Sequence, residues 1–185
     1  GAGNAQNIID AGGTGSNNTS IYLIVWGENT VFCPFPKGSK AGLQHEDLGA
    51  ETVVDASGGR FRAYRTRYQW KNGLVVRDWR YVVRIANINI SDLAAGTGTQ
   101  NAQQLINLLS RALDRIPNFG MGRAAFYMNR TVYSFLRIQA LSKSQNVLAI
   151  ESGLSQFGTP MKWTSFMGIP LRKVDMLLNT EARVV

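Results

Sequence analysis

The sequence predicts an α+β fold, and three observations carry that reading. Strand-like runs rich in β-branched and aromatic residues are confined largely to the first ninety positions. Helix-period apolar stripes appear only after them, around residues 99–116 and 129–141. A chain of 185 residues that is 44% hydrophobic has enough apolar surface to enclose a core. Strands first, then helix–strand–helix–strand, is the order of an α+β chain and not of an alternating parallel sheet.

Residues 1–19 are rich in Gly, Asn, Ala and Ser and are expected to form a flexible linker or arm. Ile21 to Trp26 is a short continuous apolar run, the pattern of a buried strand. Glu28-Asn29 turns the chain into a second strand at Val31-Phe32-Cys33, which Pro34 and Pro36 stop. Residues 37–59, punctuated by Gly38, Gly42, Gly49, Gly58 and Gly59, are expected to be a loop that binds something or projects.

From Arg60 to Ile90 two strand-like runs flank Lys71-Asn72-Gly73. Asn-Gly supplies the positive φ angles of a type I′ turn, so the segment is expected to fold as a long β-hairpin. Tyr64, Thr66, Tyr68 and Trp70 then share one face, with Arg65 and Arg67 opposite. In the second run Val75, Trp79, Tyr81, Val83 and Ile85 oppose Arg80 and Arg84. A ribbon with an aromatic face and an arginine face is built to be covered on both sides, by other chains or by nucleic acid and not by a small molecule.

Residues 91–98 form a break, after which Thr99 is expected to cap a helix ended by Pro117. Its stripe is Ala102, Leu105, Ile106, Leu109, Ala112, Leu113 and Ile116. Ala124 to Met128 reads as a strand. Asn129 then caps a helix to about Leu141, with Val132, Phe135, Leu136 and Ala140 facing inward. Val147 to Ile150 is expected to be a strand, and Phe166 to Val174 a final strand or turn-strand shaped at its entry by Gly168 and Pro170.

The residue inventory speaks against an enzyme. His45 is the sole histidine and Cys33 the sole cysteine, so no His-based metal site, CxxC site or internal disulfide can be assembled. No catalytic, cofactor-binding or metal-binding residue is assigned. Lys37-Gly38-Ser39-Lys40 lacks the frame of a phosphate loop. No run approaches the roughly 18 apolar residues of a membrane span. With a polar N-terminus and one cysteine, a cytosolic origin fits; the sequons at Asn17, Asn89 and Asn129 are read as chance. The net charge is 20 − 12 = +8, which suits phosphate, an acidic protein neighbour or a membrane surface without choosing among them.

Two charged groups stand out as interface candidates. Glu46, Asp47, Glu51 and Asp55 form an acidic cluster, either solvated or a docking patch for the arginines of another copy. Arg60, Arg62, Arg65, Arg67, Arg77, Arg80 and Arg84 have Asp78 as their only acid nearby in sequence. They are either solvated, paired with carboxylates of neighbouring subunits, or facing phosphates.

Whole blocks of the chain resemble a known family. NTSIYLIVWG at 18–27, the PKGSKAGL…EDLG block from residue 36, GLVVRDWRYVVRIANI at 73–88, RAAFYMNRTVYSFLRIQA at 123–140 and FMGIPLRKVDMLLNTEA at 166–182 are similar to the major capsid proteins of certain short-tailed, double-stranded-DNA bacteriophages. The resemblance implies the Hong Kong 97-type shell fold, with its peripheral (P) domain, axial (A) domain, extended loop and N-terminal arm. Mapped onto this chain, it implies a linker or arm at 1–19 and an A-domain strand and projecting loop at 20–59. A P-domain β-hairpin follows at 60–92, then an A-domain helix–strand region with a C-terminal strand at 93–185. The element order looks rearranged against commoner members, and the chain looks like the C-terminal portion of a longer protein. The function implied is structural: a shell subunit of the virion, assembled in the bacterial host cytoplasm. Its partners would be other copies in pentamers and hexamers, scaffold, cement and portal proteins, and packaged double-stranded DNA bound non-specifically. No membrane, cofactor or small-molecule substrate is implied. The alternative class is a basic nucleic-acid-binding module.

Overall fold

The structure, a computed structural model, describes residues 6–38, 42–95, 102–141, 148–154 and 160–184. The chain divides into two compact units, one of residues 1–31 and 76–185, the other of residues 32–75.

The first unit is built on a mixed sheet. Its strands are β1 (Ile8–Asp10), β2 (Asn18–Trp26), then, after the second unit, β7 (Val82–Asn89), β8 (Arg123–Met128), β9 (Leu148–Leu154), β10 (Pro160–Phe166) and β11 (Ile169–Lys173). They lie in the order β1-β7-β2-β8-β11-β10-β9. β2 runs antiparallel to both neighbours, while β1 pairs with β7 and β11 with β8 in parallel. The short strands β3 (Val31–Phe32) and β6 (Val75–Val76) stand where the chain leaves and re-enters this unit.

Alternation along β2 makes one sheet face apolar. Ile21, Leu23 and Val25 are fully buried, whereas Tyr22, Ile24 and Trp26 are half-buried. The buried face joins a core with Val83 and Ile85 of β7, Phe126 and Met128 of β8, and Leu171 of β11. Helices α2 (Ala102–Leu113) and α3 (Arg130–Leu141) contribute Leu105, Leu109, Val132 and Leu136 to that core. Helix α3 begins where expected, because Asn129 Oδ1 accepts the Thr131 N–H at 2.9 Å. The close packing of β2 on β8 requires Gly122, where a Cβ would lie 2.2 Å from the Trp26 carbonyl oxygen.

Several expectations are corrected. The Lys71-Asn72-Gly73 hairpin does not form: β5 (Arg60–Trp70) pairs with β4 (Leu43–Val54), and β7 pairs with β1 and β2. Neither Asn72 nor Gly73 lies in the left-handed region; Gly73 N–H instead bonds the Pro34 carbonyl at 2.9 Å. The two-residue turn with both φ angles positive lies at Met167 (50°) and Gly168 (80°), joining β10 to β11. Of the two readings of 166–174, the turn-strand holds: Phe166 ends β10, Met167-Gly168 turn the chain and β11 follows.

The expected loop at 37–59 is mostly strand β4, and the true turn is Asp55–Gly59. The expected arm at 1–19 contributes strand β1 and the start of β2. The break at 91–98 holds part of a short helix, α1 (Ile90–Ala95), which Asn89 caps by accepting the Ser91 N–H at 2.9 Å. Thr99 and Val147 lie outside the described residues.

After β11 the chain returns along the sheet as a strap. Val174 N–H bonds the Met128 carbonyl at 2.9 Å, and Asn129 Nδ2 donates to the Leu177 carbonyl at 2.6 Å. Glu181 bridges Asn18 by backbone hydrogen bonds. Asn87, in the left-handed region at φ 61°, receives the Val184 N–H and donates to the Val184 carbonyl, each at 2.8 Å.

Candidate functional site

The two longest strands, β4 and β5, form a sheet of their own in the second unit. Their register runs from Leu43 opposite Trp70 to Val54 opposite Arg60, with a bulge between Asp47 and Gly49. The turn is tied by one side chain, since the Asp55 carboxylate accepts the N–H groups of Ser57 and Gly59, both at 2.8 Å.

Directly paired residues share a face, so the register sorts the ribbon's chemistry. One face carries Trp70, Tyr68, Thr66, Tyr64, Arg62 and Arg60 of β5, opposite Leu43, His45, Asp47, Ala50, Thr52 and Val54 of β4. Its aromatics are open to solvent: Tyr64 is 89% exposed, Tyr68 65% and Trp70 67%. The His45 ring lies 5.1 Å from that of Tyr68, which makes it part of this aromatic row. The opposite face carries the ion pairs Arg65–Glu51 and, at 4.0 Å, Arg67–Glu46.

The sequence-derived candidates therefore separate. Of the acidic cluster, Glu46 and Glu51 meet arginines of their own ribbon, Asp47 accepts the Gly49 N–H at 2.9 Å, and Asp55 builds the turn. Arg77 donates to the Glu28 carbonyl and Asn29 Oδ1 at 3.2 and 3.3 Å. Arg80 pairs with Asp78 at 2.7 Å, and its hydrogen bonds hold the Asp78 carboxyl below the usual range. Arg84 lies inside the first unit, 3.1 Å from both Ser20 Oγ and Glu181 Oε2 and 5.6 Å above the Tyr22 ring. Among the described residues, only Arg60 and Arg62 of the seven have no side-chain partner.

Alternation within β5 placed Arg65 and Arg67 away from the aromatics correctly. The same count places Arg60 and Arg62 with them, a signal that the sequence reading missed. Pairing with β4 was hidden because its carboxylates and glycines read as loop.

The profile of the family described as Major capsid protein GP7 matches residues 1–185, the whole chain. The chain belongs to that family. A chain in the near-atomic cryo-EM structure of bacteriophage epsilon15 is 34% identical, with a TM-score of 0.55, over 96% of this chain and 53% of that one. The present chain thus spans about half the length of that relative. No curated protein matches it. The α+β architecture is that of the tailed-phage shell proteins, the Hong Kong 97 type.

Proposed function

We propose that this chain is the portion of a phage major capsid protein that supplies subunit-to-subunit contacts in an icosahedral shell around packaged double-stranded DNA. The observation that carries it is the ribbon. A two-stranded sheet is marginal by itself in water, yet this one exposes Tyr64, Tyr68 and Trp70. Such a surface is consistent with burial against a neighbour. Arg60 and Arg62 at its turn end have no carboxylate of their own and suit carboxylates of the next copy. Glu46, Asp47, Glu51 and Asp55, engaged within the ribbon, are secondary candidates.

In this reading no reaction is catalysed, and the protein resides in the virion after assembly in the host cytoplasm. Scaffold, cement and portal proteins are its further partners. Electron microscopy of purified, nucleic-acid-free protein tests the reading. Rings or closed shells are expected; uniform monomers would overturn it. One observation favours a second reading, a nucleic-acid-binding module: free arginines and exposed aromatics share one face, as on single-strand-binding platforms. Steep salt-dependent affinity without assembly would select that reading instead.

A further inference from the structure

An open groove of about 960 Å³ lies at the end of the first unit's sheet where β2 finishes and β8 and β11 begin. Trp26 and Tyr127 are two of its apolar lining residues, their ring centroids 6.2 Å apart and edge to face. Trp26 Nε1 donates to Tyr127 Oη at 2.7 Å, which fixes both rings. Met167, on the β10–β11 turn, is exposed at its rim. Arg123 and Arg172 also line it, and neither has an ion-pair partner among the described residues. The groove is thus an apolar slot edged by two guanidinium groups and one carboxylate, Asp114, which leaves it a surplus of positive charge.

The opposite end of the same two strands carries a matching knob. The strap turns at Asp175–Met176 directly after β11, held to the end of β8 by the Val174–Met128 and Asn129–Leu177 hydrogen bonds. Met176 is 88% exposed and Leu178 62%. Asp175 sits beside them. Arg130 holds both its oxygens as a fork, Nε to Oδ1 at 3.0 Å and Nη2 to Oδ2, and depresses its carboxyl below the usual range. A carboxylate offers about four acceptor positions, so capacity remains for a second cation.

The groove runs along β8 from Trp26 and Arg123 to Tyr127 and Arg172, so its far end lies roughly 17 Å from the knob, at about 3.3 Å per residue, and its near end adjoins it. Complementary patches at different places on one subunit generate a head-to-tail contact, which closes into rings or propagates as a filament. We propose that the Asp175–Leu178 turn of one copy docks into the Trp26–Tyr127 groove of the next, with Met176 and Leu178 in the slot and Asp175 between Arg123 and Arg172. A flexible thioether suits an irregular slot. The contact rests on the shell reading, and it is a centre of binding within a larger interface and not the whole of it.

The test is a cysteine pair in the full chain, Met176→Cys with Met167→Cys, in a Cys33→Ser background. Oxidation of assembled material should give a ladder of covalent multimers that neither single cysteine gives. In parallel, Met176→Asp with Leu178→Asp should keep the parent's melting temperature, since both side chains are exposed, and lower particle yield at least tenfold. Particles that form normally in the double-aspartate variant, with no ladder from the cysteine pair, overturn the docking and leave the shell reading standing. A crosslink from Met167→Cys to a different protein, with none to Met176→Cys, assigns the groove to another partner and overturns it too. A parent that stays monomeric overturns both.

Discussion

Asn87 concentrates much of what one residue can do here. It adopts a left-handed φ that asparagine tolerates and β-branched residues do not. Its amide joins three segments: Nδ2 donates to Asp10 Oδ1 and to the Val184 carbonyl, and Oδ1 accepts the Val184 N–H, all at 2.8 Å. Asn87→Ala should therefore cost roughly 2–4 kcal/mol, from about 1 kcal/mol per hydrogen bond plus the backbone penalty. Chemical denaturation measures it; an unchanged midpoint would show that the strap is not anchored here. Asp10 adds a pH dependence. The Asn87 amide first, then the Gly12 N–H, then the Arg183 charge lower its carboxyl below 3.8. Its stabilising contribution is thus complete above that ordinary value and is lost as pH falls through the lower folded one. Asp10→Asn should flatten the acid limb of a melting-temperature profile below about pH 4. None of this was legible in the sequence, where Asn87 sits inside a strand pattern and residues 10 and 184 are far apart. Positive φ and long-range amide bonds leave no periodic signature.

At the scale of elements, legibility followed burial. The stripe of α2 was readable because a core-facing helix must repeat its apolar residues near 3.6, and Leu105, Leu109 and Ala112 are indeed fully buried. Leu109→Ala should cost roughly 2–5 kcal/mol. Thermal unfolding indistinguishable from the parent would mean the helix does not pack as it stands. Strand β2 was readable for the same reason. Strand β4 was not, because both its faces are polar or exposed and no core imposes a period-two pattern on it. The Asn-Gly signal misled because turn chemistry is permissive and does not compel: Pro34 captures the Gly73 N–H, and β7 finds a better partner in the apolar β2. The turn that needs positive φ uses Met167-Gly168 instead. Gly168→Val should destabilise that hairpin by roughly 1–3 kcal/mol, the scale of a strained backbone position. Equal stability of the two proteins would argue against the turn type.

For the whole molecule, the pattern of satisfied and unsatisfied groups separates what the fold keeps for itself from what it presents outward. Arg84, Glu181 and Ser20 close on one another inside the first unit, and Arg65 and Arg67 close on acids of their own strand pair. These pairs on the ribbon are exposed and worth about 0–1 kcal/mol each, so they orient the arginines more than they stabilise the chain. Within β5 the expected division into an aromatic face and an Arg65–Arg67 face holds, but the partner strand is β4 and not the run after Gly73. One face is neutralised within the chain and the other is not. The two faces can therefore be tested against each other. Arg62→Glu combined with Tyr64→Ser alters only the open face, where both residues are solvent-exposed and melting should shift little. If that face makes the contact between copies, sedimentation should show the material remaining as free subunits. Glu51→Ala combined with Arg65→Ala alters only the neutralised face and should assemble as the parent does. Normal shells from the first variant and none from the second would reverse the assignment. The neighbour would then meet the Glu46–Arg67 face, and the aromatics would be left to solvent.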